Sequence, residues 1–154
     1  FVHEELGWNM RMTNIQAAIA LAQLEQLDDF VSRKKKMGKL YSRLLSDVPN
    51  IKLPLPSLEY ADNVYWVLGI VLTEDAPFDA EQAMKKLAEN KIGSRPFFWP
   101  MHEQPIFKKM GLFKDDSFPV SEKLARRGFY PPSGLSLTDK QITHVADCLR
   151  SILT

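Results

Sequence analysis

Cysteine is almost missing from these 154 residues. Cys148 stands alone, so no disulfide can close within the chain, which fits a reducing compartment. An excess of one charge is missing too. Twenty Lys and Arg face nineteen Asp and Glu, a formal net charge of +1. Such a balance gives no global field to draw in nucleic acid or an anionic membrane. No apolar run approaches the roughly 20 residues of a membrane-spanning helix, and no secretory pattern is present. These absences predict a cytoplasmic protein with no nucleic-acid and no membrane partner. Histidine is scarce: His3, His102 and His144 lie far apart without paired Cys or carboxylate spacing, which predicts no metal site. A glycine-rich phosphate loop and a GxSxG elbow are absent as well. Cys148 falls in an apolar helical pattern and reads as a small core residue.

What remains is ordinary globular material, 45% hydrophobic and 25% charged, enough for one domain with a real core. The chain begins at Phe1, and its first dozen residues read like the middle of a longer polypeptide. From Thr13, apolar residues recur at helical spacing through Val31 and resume at Leu40, Leu44 and Leu45. The pattern predicts one helix of about 34 residues, or two with a break near Gly38. Such a helix is too long for this chain's own core and is expected to pack against other protein. Asn63–Thr73 reads as the strongest strand and Lys91–Phe98 as a second. A helix starts at Asp79, short ones at Pro105 and Pro119, and a last one at Thr138 with Gln141 as its capping partner. Ile106, Phe107, Met110, Val120, Leu124 and Ala125 are expected to face inward. The fold class is α+β: a long N-terminal helix, then a small antiparallel or mixed sheet covered by helices. Residues 1–48 form an entrance loop and connecting helix, and 49–154 a small domain.

Three polar clusters could carry chemistry. In Gly7-Trp8-Asn9-Met10-Arg11-Met12-Thr13-Asn14-Ile15-Gln16, Thr13 and Gln16 have capping-box spacing. Asn9 and Arg11 just before the cap could meet an anion such as a phosphate, or could simply close the loop. In Ser94-Arg95-Pro96-Phe97-Phe98-Trp99-Pro100-Met101-His102, Arg95 could clamp a phosphate or carboxylate and His102 could move a proton. The three aromatics could stack on a flat ring, or the segment could be a plain surface turn. Tyr130-Pro131-Pro132-Ser133-Gly134 frames a pocket or merely joins two helices.

The first of these clusters resembles the G-x-N-x-R-M-T-x-I-Q-A-A segment of the DegT/StrS-type sugar aminotransferases. Arg95-Pro96-Phe97-Phe98 with Pro100-x-His102-x-Gln104-Pro105 is similar to that family's substrate-side segment. Phe118-Pro119-Val120-Ser121-Glu122, Pro132-Ser133-Gly134-Leu135 and Leu137–Ile142 resemble its C-terminal signature. The wording is nearest the GDP-perosamine synthase branch, which aminates a GDP-linked 4-keto-6-deoxy sugar. The resemblance implies an aspartate-aminotransferase-like fold, pyridoxal phosphate as cofactor, glutamate as donor and a homodimer. It implies that Asn9 and Arg11 reach the cofactor phosphate of the neighbouring subunit, and that Arg95, His102 and Tyr65 line the nucleotide-sugar side. The family's cofactor-binding lysine belongs to a large N-terminal domain, and no lysine here matches it. The chain is therefore expected to hold no catalytic residue and to be inactive alone. Two alternatives stay open: a non-catalytic dimerisation module, and a sugar 3-dehydratase of the same family.

Overall fold

The computed structural model describes Val2 and residues 4–154. Helix α1 spans Asn14–Leu24 and opens with the expected capping box: the Thr13 hydroxyl accepts from Gln16 N at 3.3 Å, and the Gln16 amide oxygen accepts from Thr13 N at 2.9 Å. Helix α2 spans Leu27–Leu44. The break therefore falls at Glu25–Gln26, not near Gly38. A short-range bond from Gln26 N to Gln23 O closes α1, and Phe30 N to Gln26 O starts α2. Gly38 lies inside α2 because it is a packing notch. The Tyr65 ring rests on it, and a Cβ there would stand 2.1 Å from the Tyr65 Cγ.

Every described residue up to Asp29 is exposed, and α1 buries nothing. Ile15, Ile19 and Leu24 are all more than 60% exposed on it. By contrast, Met37, Tyr41 and Leu45 enter the core at the other end of α2.

The strands are short. Four of them, β1 (Ile51–Lys52), β4 (Ile70–Leu72), β6 (Gly128–Tyr130) and β5 (Arg95–Pro96), form one sheet in that order, antiparallel throughout. Strands β2 (Ser57–Leu58) and β3 (Ala61–Asp62) make a separate hairpin. The expected strand at Asn63–Thr73 shrinks to β4 because Asn63 turns the chain. Its side-chain oxygen accepts from Tyr65 N at 2.7 Å, its amide donates to Leu55 O, and Tyr65 adopts a left-handed φ of 52°. Likewise, the expected Lys91–Phe98 strand shrinks to Arg95–Pro96, which pairs with β6, a strand whose last residue, Tyr130, reads from sequence as the start of a turn.

Helices α3 (Ala80–Glu89) and α6 (Asp139–Leu153) complete the core with α2, around Leu68, Ile70, Leu72, Leu87, Phe129 and Leu149. Asp79 caps α3, and Thr138 with Gln141 boxes α6. Arg150 of α6 ties down the end of α2, donating to Leu44 O and the Asp47 carboxylate at 2.7 Å each. Two short helices follow a 3₁₀ turn at Met101–Glu103: α4 (Pro105–Lys109) packs on that turn, and α5 (Pro119–Arg127) on β6, β4 and α3. Among their apolar residues only Ala125 is fully buried. Ile106, Met110 and Val120 face out at 59%, 64% and 74%, contrary to expectation, because helices this short have one side against the domain and little sheet left to cover.

Candidate functional site

The chain leaves the sheet at its β5 edge, and a cleft forms there. Phe97 N donates to Gly128 O at 3.1 Å, and the Phe97 ring stacks on Tyr130 with centroids 4.5 Å apart. Gly128 permits this: a Cβ there would lie 2.3 Å from the Phe97 ring and 2.5 Å from Leu124 O. Phe97 is thus pinned, while Phe98, Trp99 and Trp66 remain exposed at 78%, 49% and 69%. These rings and Arg95 line a cleft of about 840 Å³. Arg95 also faces a second cleft of about 740 Å³, shared with Trp66 and Tyr130 and closed by Pro131–Ser133 and Lys34. A guanidinium between two aromatic-walled clefts suits a ligand with an anionic middle and flat or sugar-like ends.

The second cleft has a rigid wall. Tyr41 Oη donates to Pro132 O at 2.9 Å. Ser133 Oγ accepts from Leu68 N at 3.0 Å and donates to Pro131 O at 2.9 Å. Lys34 Nζ donates to Trp66 O at 2.9 Å and to Ser133 O. Burial lowers the Lys34 ammonium's pKa and raises that of the Tyr41 phenol. The Pro-Pro-Ser-Gly turn is therefore braced on α2 rather than being a loose joint.

His102 and Tyr65 line neither cleft. His102 is 7% exposed, with Nε2 3.0 Å from Glu122 Oε1 and its ring edge-on to Phe118. Glu122 Oε1 also accepts from Phe118 N at 2.8 Å and from Ser117 Oγ. The Phe118 amide, then the His102 ring, hold the Glu122 carboxyl below its ordinary range. His102 thus locks the 3₁₀ turn to the start of α5. His102, Glu103 and Glu122 bring ligand-type atoms within 4.8 Å of one another, but Arg126 already donates to Glu103 at 2.8 Å and supplies the positive charge. Tyr65 is 2% exposed on its Gly38 notch.

Asn9 and Arg11 lie apart from both clefts, on the exposed arm before α1. Asn9 Oδ1 accepts from Arg11 N at 3.1 Å and Arg11 Nε at 3.4 Å, so the amide orients the guanidinium. The guanidinium forms no ion pair among the described residues. That donor set fits a phosphate beside a helix start. The site roles of Lys34, Tyr41 and Arg126 are not legible in the sequence. Lys34 and Tyr41 bond Ser133 and Pro132 more than 90 residues away, and Arg126 bonds Glu103 23 residues away, so no local motif announces them.

Residues 1–150 match the model of the DegT/DnrJ/EryC1/StrS aminotransferase family. The chain belongs to this family. Its curated relatives include the GDP-perosamine synthases of Escherichia coli O157:H7 and Vibrio cholerae. The first is 35% identical over 147 residues, covering 96% of this chain and 38% of the relative. The second is 32% identical over 149 residues, covering 97% and 40%. Streptomyces venezuelae DesV, solved in complex with a ketimine intermediate, is similar in structure with a TM-score of 0.85 at 25% identity, over 98% of this chain and 39% of DesV. Helicobacter pylori PseC, an aminotransferase of pseudaminic acid biosynthesis, shares the fold at 16% identity with a TM-score of 0.84, over 97% of this chain and 40% of PseC. The chain spans about 40% of the length of the relatives it matches. Family members depend on pyridoxal phosphate. Among the described residues, no helix is long and apolar enough to cross a membrane.

Proposed function

We propose that this chain is the substrate-side portion of a sugar aminotransferase. Its whole protein moves an amino group from glutamate to a nucleotide-linked 4-keto-6-deoxy sugar, as a perosamine synthase does. The observation that carries the reading is Arg95, set between two aromatic-walled clefts at the sheet edge. Its guanidinium binds the anionic linkage of the substrate, and Phe98, Trp99 and Trp66 hold the flat end and exclude water. His102 and Tyr65 serve this side from within, by fixing the walls: His102 through Glu122, Tyr65 through Gly38. Pyridoxal phosphate, when bound, supplies the electron sink for the amino transfer. Asn9 and Arg11 hold its phosphate, with Asn9 orienting Arg11.

The reading divides the chain into an arm and connecting helix, 1–48, and a small domain, 49–154. It also makes the protein a homodimer, in which the arm of one subunit serves the other. The exposed apolar residues of α1 support packing against further protein, since a helix apolar on all sides is normally buried. Hydrogen exchange on the full-length protein tests the substrate side. Adding a GDP-linked 4-keto-6-deoxy sugar is expected to protect backbone amides in the 93–104 segment. Protection that leaves this segment unchanged would overturn the assignment.

A further inference from the structure

Arg126 faces the same cleft as Arg95 yet belongs to no motif discussed so far. Its guanidinium is aimed from three directions. Nη2 donates to Glu103 Oε1 at 2.8 Å, and Nη1 donates to Glu122 O, one turn earlier on α5, at 3.1 Å. The Trp99 ring lies beneath it, 4.9 Å from Cζ. Among the described residues, only two of its five N–H bonds have partners, and nearly half of the side chain is exposed. Glu103 in turn is mostly buried, so the guanidinium is held by a partner that cannot swing away. Two carboxylates, Asp79 and Glu81, also reach the cleft wall. Asp79 is engaged by Gln82 N at the start of α3, and Glu81 by Lys85 at 2.8 Å.

We infer that Arg126 is a second anion-binding residue of this cleft, which with Arg95 forms a guanidinium pair for the diphosphate of a nucleoside-diphosphate sugar. The inference rests on the proposed function and adds the residue that distinguishes a diphosphate from a nucleoside. A purely structural Arg126 would need only its bonds to Glu103 and Glu122, which tie α5 to the 3₁₀ turn. Its place on Trp99, with three N–H bonds left over at a cleft, is what an anion site requires and a strut does not. Holding the guanidinium before the ligand arrives lowers the ordering cost of binding. Glu103 and Glu122 are positioning groups that act through Arg126.

The test uses the full-length protein and three probes: guanosine, GMP and GDP. Wild type is expected to bind GDP tightest, with the gain over guanosine shrinking as salt rises. Arg126→Gln should weaken GDP about 10- to 100-fold, the worth of one or two charge-assisted hydrogen bonds. Guanosine affinity should stay near wild type, while the melting temperature falls because the mostly buried Glu103 loses its charge partner, so the ratio of GDP to guanosine affinity is the readout. Arg126→Lys should recover part of the GDP gain, and Glu103→Gln should lose part of it. If Arg126→Gln lowers guanosine and GDP equally, or neither, Arg126 is not an anion site, and the proposed function stands. If the wild type gains nothing from the diphosphate, the inference and the nucleotide-sugar reading fall together.

Discussion

Gly38→Ala is the sharpest probe of how the connecting helix meets the domain. In a helix interior, Ala is favoured over Gly by about 1 kcal/mol. On that ground alone the substitution should stabilise α2. The packing opposes it. The new Cβ would lie 2.1 Å from Tyr65 Cγ and 2.4 Å from both ring Cδ atoms, where contact needs about 3.4 Å or more. The ring must move by more than about 1 Å, but Tyr65 is 2% exposed and its backbone is held by the Asn63 side chain. Overpacking a tight site typically costs about 1–3 kcal/mol, and a rigid, buried ring places this case near the top. The expected net loss is about 2 kcal/mol, or roughly 4–8 °C in Tm for a domain of this size. The partner experiment is the same substitution in a Tyr65→Ala background. There the obstacle is gone, and Gly38→Ala should stabilise by about 1 kcal/mol, a coupling of about 3 kcal/mol. Urea unfolding of the four proteins measures it. A Gly38→Ala variant more stable than wild type would refute the contact.

Other outcomes follow from the same geometry. Lys91 sits left-handed at φ 60° in the turn that ends α3, where Ile92 N bonds Leu87 O and Lys91 N bonds Ala88 O. Lys91→Gly is expected to raise stability by about 1 kcal/mol in thermal unfolding, since glycine carries no Cβ penalty there. Thr138→Ala removes half of the capping box on the core helix α6 and should cost about 1 kcal/mol. Glu122 has a lowered native pKa, so its contribution is complete above the unfolded carboxylate range, near pH 4.3, and is lost as pH falls through the lower native value. Glu122→Gln should flatten the acid side of a stability–pH profile; an unchanged acid limb would contradict the His102–Glu122–Phe118 network. The isolated chain with pyridoxal phosphate and borohydride should show no lysine specifically tagged by mass spectrometry, because covalent catalysis needs a lysine this chain does not match.

The locally encoded parts of the fold were legible. Thr13 with Gln16, Thr138 with Gln141, and Asp79 ahead of α3 each start a helix where their spacing says. Pro105 and Pro119 open helices as first-turn prolines do. Parts set by distant contacts were not. Gly38 reads as a breaker until Tyr65, 27 positions on, is seen lying over it. Asn63–Thr73 has every mark of a strand, but a side-chain turn at Asn63 outbids the ladder for its first half. At the site, Arg95 and its aromatics were visible because they are contiguous. Lys34 and Tyr41, which brace the opposite wall, lie more than 90 residues from Ser133 and Pro132. Arg126 reads as one of many helix-surface arginines until its link to Glu103 is known.

The central claim is a reaction, and nitrogen transfer tests it most directly. The full-length protein, loaded with pyridoxal phosphate, is incubated with [¹⁵N]glutamate and a GDP-linked 4-keto-6-deoxy sugar, and the product is read by mass spectrometry. The expected result is a ¹⁵N-labelled 4-amino sugar nucleotide, with Arg95→Gln raising KM for the nucleotide sugar far more than it lowers kcat. A protein that consumes the sugar without taking up ¹⁵N, or leaves it untouched, would contradict the account.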